Sequence, residues 1–339
     1  NLMNSVAWYA MAGYDYDNRY MVNLHIRGEA SNLFGSRAND RMMPIWALSG
    51  RWNMKQDILR SVDWVDDMAL RGSFGYQGNM LSNQTPNMII RQEADYTGKY
   101  GEFRSKVAHY PNPDLRWEKT ASTNVTLDFS FLKNKINGSV SWYYKKTRDA
   151  FLTKTISEIN GTTQYVVNSG TLVNKGIEVS LNFTPINRVG LDGGKRGFVW
   201  RIDPQLGQVL NELVNNAINN RNNVLRDEIE YTDMLTGDVD IAGEPLNTFY
   251  SYRFKGLSPV DGSPIFYGAE DELQEELSKK YNNMEREDVF LEVMERSGRR
   301  EPYLQGGVSN YFGYRNFGLS FNLAYSLGNK IRLLKLCTE

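Results

Sequence analysis

The chain has 339 residues, of which 41% are hydrophobic and 12% aromatic, so its composition excludes an intrinsically disordered protein. Its 39 Lys and Arg residues are balanced by 40 Asp and Glu residues, which leaves no basic field to attract nucleic acid. No stretch approaches the roughly 18 consecutive apolar residues of a membrane-spanning helix. The abundance of Tyr and Gly, with 20 and 29 residues, favours a β-rich protein.

Alternation of apolar and polar residues with a period of two is the dominant pattern along the chain. It is clearest in 20–31, where Val22, Leu24 and Ile26 alternate with polar side chains. The segment 54–67 instead has the apolar spacing of a short amphipathic helix. The alternation predicts about ten strands, at 5–14, 20–31, 44–54, 68–77, 117–131, 136–149, 175–185, 197–208, 303–312 and 317–327.

Strand length and connections distinguish a membrane barrel from a soluble sandwich, which shows the same alternation. Several runs reach the roughly 9 to 11 residues that a tilted strand needs to cross a bilayer. Outer-membrane barrels alternate short turns with long loops. Here short turns at 15–18, 133–135 and 313–316 alternate with long connections at 78–116, 150–174 and 209–302. The predicted fold class is therefore all-β, a transmembrane antiparallel β-barrel, with Trp8–Tyr9 and Trp142–Tyr144 in aromatic girdles at strand ends.

The direction of successive strands restricts the longest connection. Because every crossing reverses direction, 209–302 must begin and end on the same side, which is the side of the other long loops. The strand-like run Phe249–Phe254 therefore cannot cross the membrane alone. We expect 209–302 to be an extracellular excursion that includes helix in Glu270–Arg296.

Motifs of catalysis are absent from the sequence, which has no phosphate loop, dinucleotide fingerprint, nucleophile elbow or metalloprotease His pair. The two histidines, His25 and His109, have no second His or Cys at metal-ligand spacing. Asp233, Asp238 and Asp240 lack the spacing of a calcium-binding loop, so calcium in the extracellular loops is unsupported. We expect no enzymatic activity, no metal and no cofactor.

The polar face of the strands is the candidate functional surface, because charged side chains are costly against lipid and tolerated in a water-filled lumen. We expect the following residues to line the lumen, either as substrate contacts or as a hydrated wall: Asn23, His25, Arg27, Glu29, Arg71, Glu178 and Asn182. Tyrosines of the long connections, whose rings either stack on substrate or pack the loops, are Tyr96, Tyr100, Tyr165 and Tyr231.

Four short motifs resemble those of a known family. They are NPDLRWEKT at 112–120, NKGIEV at 174–179, YSYRF at 250–254 and GGVSN at 306–310. In this order they resemble the TonB-dependent outer-membrane transporters of the Bacteroidetes SusC/RagA type, and the resemblance covers most of the chain. It implies that 1–339 is part of a barrel of about 22 strands in a Gram-negative outer membrane. The N-terminal plug, the box that contacts TonB and the last strands are then expected to lie elsewhere in a longer polypeptide.

The resemblance also implies a function. The family takes up solutes too large for porins, with energy from the TonB complex and a SusD-like surface lipoprotein that closes over the extracellular loops. Outer-membrane lipid would surround the barrel. An oligosaccharide is the first expectation for the solute, and an oligopeptide is the alternative, because the lumen side chains mix amides, carboxylates and arginines that suit either. The rival from a different class is a soluble β-rich glycan-binding or adhesion module.

Overall fold

The computed structural model describes residues 4–31, 42–79, 88–93, 104–112, 116–155, 159, 164–192, 195–216, 234, 241, 243–268 and 273–332. Within these ranges the strands are β1 (Ser5–Tyr16), β2 (Tyr20–Ser31), β3 (Met42–Asn53), β4 (Val65–Asn79), β5 (Ile89–Glu93), β6 (Arg104–His109), β7 (Glu118–Phe131), β8 (Ile136–Thr155), β9 (Gln164–Asp192), β10 (Lys195–Gln208), β11 (Leu210–Asn216), β12 (Thr248–Tyr252), β13 (Phe254–Leu257), β14 (Pro264–Phe266), β15 (Met294–Arg299), β16 (Leu304–Tyr314) and β17 (Phe317–Leu327). The helices are α1 (Met54–Asp57), α2 (Gln274–Asn282) and α3 (Arg286–Val293).

One antiparallel sheet dominates the fold. Its strands follow the order β1-β2-β3-β4-β7-β8-β9-β10-β16-β17, and β11 continues beyond β10 along the outer part of β9. The ten-strand path confirms the strands expected from the alternation. Among the described residues β1 and β17 each pair with one neighbour, so the sheet does not close on itself.

The two faces of this sheet differ in chemistry. Residues directly opposite one another on neighbouring strands point to the same side, so each face can be followed from strand to strand. Leu24 lies opposite Leu48, which lies opposite Phe74, and these side chains are 37%, 45% and 40% exposed. On the other face Asn124 lies opposite Ser73 and its amide donates to the serine hydroxyl at 3.3 Å. The sheet therefore presents an uncovered apolar face and a polar face.

The short connections lie at one end of the strands, as expected. They join β1 to β2, β7 to β8 and β16 to β17. Residues in the left-handed region make the first two of these turns. The angle φ is 51° at Asp17 and 52° at Asn18 in the first turn, and 60° at Lys133 in the second. Between β3 and β4 the helix is confined to α1, so the helix expected over 54–67 is shorter than predicted, and turns follow it. Within the described residues, none of the helices is long and apolar enough to cross a membrane.

The prediction of a long loop at 150–174 is wrong. Strands β8 and β9 stay paired far beyond the expected strand ends, through Ala150 opposite Gly170 to Thr155 opposite Gln164. Strand β11 likewise extends the ladder into the expected excursion, which therefore begins after Asn216 rather than at 209. The physical reason is that a strand outside lipid needs no apolar face, so its sequence loses the alternation by which the other strands were found.

The excursion after β11 has a small core of its own. Strand β12 pairs with β15, separate from the main sheet, so Phe249–Phe254 does not cross with the other strands, as expected. The expected helix is present as α2 and α3. The buried residues of this core are Met234, Tyr250, Phe290, Val293 and Met294.

Backbone hydrogen bonds attach the excursion to the outer end of the sheet. The Leu213 amide donates to the Glu244 carbonyl at 3.0 Å, and the Gly243 amide donates to the Leu213 carbonyl at 2.7 Å. On the far side, the Lys330 amide donates to the Arg299 carbonyl at 2.8 Å. The guanidinium of Arg299, a residue only 6% exposed, donates in turn to the Val209 carbonyl at 3.3 Å. The excursion is thus anchored beside both β11 and the end of β17.

The hairpin of β13 and β14 projects from the excursion and has a rigid turn. The amide and hydroxyl of Ser263 donate to Asp261 Oδ1 at 3.1 and 2.8 Å. These two bonds and a hydrogen bond from the Ser258 side chain, which has the largest effect, lower the pKa of Asp261 to about 2. Val260, at the tip of the turn, is 93% exposed.

Candidate functional site

The polar face of the main sheet gathers the candidate residues from three strands. One row of directly opposite residues runs Met21, Arg51, Arg71, Thr126, Ser141, Glu178, Gly207, Gln305 and Ser326. Every second residue of a strand points to the same face. Counting from Met21 along β2, these residues are Asn23, His25, Arg27 and Glu29. Asn182 shares the face of Glu178 in the same way. All seven predicted residues therefore share one surface.

A concavity of about 300 Å³ lies beside His25 on this face. It exists because three neighbouring positions opposite and beyond His25 carry small residues, Ala47, Gly75 and Ser122. From the polar face, larger side chains among its lining residues include Tyr9, Arg27, Gln77 and Asn124. The Arg27 guanidinium donates to Glu29 at 2.8 Å, so its charge is compensated by the next residue on the same face.

Arg71 is held by a partner that the sequence did not reveal. Its Nε and Nη2 atoms lie 2.5 and 2.7 Å from the two carboxylate oxygens of Asp128 on β7. This two-point geometry fixes the guanidinium plane. Arg51, directly opposite Arg71, donates instead to the side chain of Asn53 at 2.7 Å. Arg71 is therefore held in place on the polar face, and its charge is paired with that of Asp128.

A larger concavity, of about 620 Å³, is lined by Glu178 and by residues of β8, β10, β16 and β17. Hydroxyl and amide side chains line it: Ser139, Ser141, Ser180, Gln205, Gln305 and Ser326. Among the described residues of this lining, Glu178 is the one with a charged side chain. Asn182 belongs elsewhere, since its amide donates to Asp203, which also pairs with Arg201 at 3.1 Å.

Tyr143 is a residue of this face that the sequence analysis assigned to an aromatic girdle. It lies opposite Asn124 on one side and Gly176 on the other, so its ring is on the polar face, and the girdle assignment of Tyr143 is wrong. The same holds for Tyr9, which lies opposite Arg27. Strict counting of alternate positions from Ser141 would have found Tyr143, but three consecutive aromatic residues obscured the alternation.

Of the four tyrosines expected in loops, the structure describes Tyr165. Tyr165 lies in β9, within the paired ladder, and its hydroxyl donates to the Pro111 carbonyl at 2.8 Å. Tyr96, Tyr100 and Tyr231 lie outside the described residues. The aspartates that were considered for calcium also lie outside them, and the described part of the chain has no group of three or more metal-ligating side chains.

Comparison with known proteins gives consistent matches. A family model described as TonB dependent receptor-like, beta-barrel, matches residues 3–333. TonB-dependent receptor P39 of Formosa agariphila is 27% identical over 260 residues, which are 76% of this chain and 23% of that protein. TonB-dependent receptor SusC of Bacteroides thetaiotaomicron is 25% identical over 344 residues, covering 96% of this chain and 31% of that protein.

A solved structure shares the fold. A chain in the structure of the RagAB peptide transporter superposes with a TM-score of 0.76 at 19% identity, over 96% of this chain and 33% of that one. The present chain thus spans between about a quarter and a third of the length of these relatives.

Proposed function

We infer that this chain, which belongs to the TonB dependent receptor-like β-barrel family, forms part of the wall of an outer-membrane importer energised by TonB. The family assignment confirms the predicted transmembrane antiparallel barrel of SusC/RagA type. One observation supports the importer most directly: the sheet has an uncovered apolar face for lipid and a polar, indented face for a lumen.

The same observation argues against a soluble adhesion module. Leu319, Phe321 and Leu323 on β17 are 63%, 52% and 61% exposed, and they continue an apolar surface that extends across the sheet. A patch of this extent in water promotes aggregation, whereas in a bilayer it is the surface that lipid covers. The family is one of receptors and transporters, and we propose that the chain has no catalytic activity of its own.

We propose an oligosaccharide as the solute and a SusD-like surface lipoprotein as the partner. The support for the solute is the lining of the Glu178 concavity, where hydroxyl and amide groups predominate. The support for the lid is the excursion, which stands at the outer rim with its own core and an exposed hairpin. An oligopeptide is the second candidate, because the related RagAB structure is that of a peptide transporter.

Deletion of the complete transporter in its host provides the test. We expect the deletion strain to lose growth on one class of oligosaccharide, and inactivation of TonB to cause the same loss. Loss of growth on peptides alone would replace the oligosaccharide with the oligopeptide. Uptake that continues without TonB would contradict the energised mechanism. Solubility of the complete protein without detergent would contradict the membrane location.

A further inference from the structure

Glu178 differs from three arginines of the polar face that are paired with acids. Arg27, Arg71 and Arg201 each have an acidic partner within 3.1 Å, at Glu29, Asp128 and Asp203. Glu178 has no ion pair or hydrogen bond with any described residue, and this exposed residue lines the larger concavity. A carboxylate left without a partner among polar groups is available to a ligand.

The groups around Glu178 favour hydroxyl groups as its partners. Four serine hydroxyls and two glutamine amides line the concavity, and each can both donate and accept hydrogen bonds. A carboxylate can accept hydrogen bonds from two adjacent hydroxyls, and these charge-assisted bonds are the stronger kind. Thr126, which bonds to the Ser141 hydroxyl at 2.9 Å, holds one of the lining serines in place.

Tyr143 adds an apolar surface next to this polar cluster. Its hydroxyl end lies over Gly176, two residues from Glu178 on the same face, where a Cβ atom would come within 2.7 Å of the tyrosine oxygen. The hydroxyl reaches the Gln208 carbonyl at 3.4 Å, which keeps the ring along the wall. The C–H faces of a sugar ring pack on such aromatic surfaces, while its hydroxyls bond to the side.

A cationic ligand fits this place less well. The Lys145 ammonium lies 5.6 Å from the centre of the Tyr143 ring and would repel an amine or guanidinium that approached Glu178 from that side. The described residues of the concavity also supply a single carboxylate, too few charged ligands for a divalent cation.

We propose that Glu178, the hydroxyl and amide groups around it and the ring of Tyr143 form a wall subsite that binds one uncharged sugar ring of the passing solute. This inference rests on the proposed import function and deepens it, since it assigns the solute class to a particular place in the lumen.

Equilibrium binding to the complete transporter in detergent provides the test. The probes are short malto-, xylo- and manno-oligosaccharides, with lysine-containing and lysine-free oligopeptides for comparison. We expect Glu178→Gln to weaken binding of the preferred oligosaccharide by about 5- to 10-fold, because a neutral hydrogen bond replaces a charge-assisted one. Tyr143→Leu should also weaken it, whereas Tyr143→Phe, which keeps the ring, should bind nearly as well as the parent.

The matched control is Glu212→Gln. Glu212 on β11 lies opposite Val173, which lies opposite Lys146, and this line of residues belongs to the other face of the sheet. Its substitution should leave binding unchanged. Heat-dependent gel mobility of each variant reports whether the barrel has folded.

The possible outcomes separate the two proposals. Folded Glu178→Gln and Tyr143→Leu variants that bind the oligosaccharide as tightly as the parent would overturn the subsite and leave the import function intact. Weakened binding of lysine-containing peptides in place of sugars would overturn the assignment to a sugar ring. A parent that neither binds nor imports oligosaccharides would refute the proposed solute, and the subsite with it.

Discussion

Among the described glycines, Gly176 is the one at which an added Cβ atom would come closest to a neighbouring atom. Its substitution therefore tests the geometry of the sheet. A Cβ atom at this position would lie 1.9 Å from the Gln208 carbonyl oxygen and 2.7 Å from the Tyr143 hydroxyl. The first neighbour is backbone at the end of β10, where the ladder is interrupted before β11 begins. Gln208 follows the last β9–β10 pair and lies opposite Leu304 on β16, so its carbonyl can move only if the outer end of β10 shifts against β16.

Gly72 provides the matched control. It also lies within a paired strand of the sheet, yet a Cβ atom there would meet nothing within 4 Å. We expect Gly72→Ala to be neutral or to stabilise the barrel by about 0.4 to 1 kcal/mol through the lower entropy of the unfolded chain. Gly176→Ala should destabilise it by about 1 to 3 kcal/mol, the usual cost of overpacking. The two variants should therefore differ by about 1 to 4 kcal/mol.

Denaturant unfolding of the complete barrel in lipid vesicles measures this difference. Tyr143→Phe separates the two contacts, because it removes only the long 3.4 Å hydrogen bond to Gln208 and should cost little. Equal stability of Gly176→Ala and Gly72→Ala would refute the close approach of β10 to Gly176, and with it the placement of Tyr143 along the wall.

Three further predictions concern the membrane, the topology and the excursion. Leu127 is four residues from Phe131, the last residue of β7, which places it about 10 Å along the membrane normal from that end at a 40° tilt. Leu127→Arg should therefore lower the free energy of unfolding in vesicles by about 2 to 4 kcal/mol. The control Ser139→Arg, on the polar face, should lower it much less. An epitope tag at Gly237 should bind antibody on intact cells and one at Asn134 should not; the reverse labelling would invert the topology. Because the folded-state pKa of Asp261 is lowered, its contribution to the turn is full above the ordinary value of 3.8 and is lost as the pH falls towards 2. The protection of the hairpin amides against exchange, taken relative to the intrinsic rate at each pH, should therefore fall over that range in the parent. An equal loss of protection in Asp261→Asn would exclude this carboxyl as the cause.

The lipid-crossing parts of the sheet were predictable because lipid imposes the pattern. Each of these strands must alternate between an apolar and a polar face, and the side of each turn follows from counting crossings. Beyond the lipid this requirement ends, which is why the outer ladder from Ala150 to Thr155 and the strand β11 were missed. The helix at α1 was overextended for a different reason, since helical apolar spacing also fits a series of turns.

The contacts that organise the polar face depend on register, which the sequence does not display. Asp128 and Arg71 are 57 residues apart, and only the pairing of β4 with β7 brings them together. The two concavities likewise arise where small residues of adjacent strands happen to align, as Ala47, Gly75 and Ser122 do. Sequence reasoning placed the seven candidate residues on one face of the sheet, whereas the concavities on that face required the fold.

Pairing of charges along the wall bears on what the lumen can carry. Three arginines are each compensated by an acid at short distance, so their fields cancel within a few ångströms. A wall compensated in this way does not hold a charged solute strongly at any one of these points, and it leaves hydroxyl and amide groups to make the contacts. An uncharged, hydroxyl-rich solute can exchange such hydrogen bonds with water and with the wall at similar free energy. At the subsite proposed around Glu178, such a solute would therefore bind and still be released.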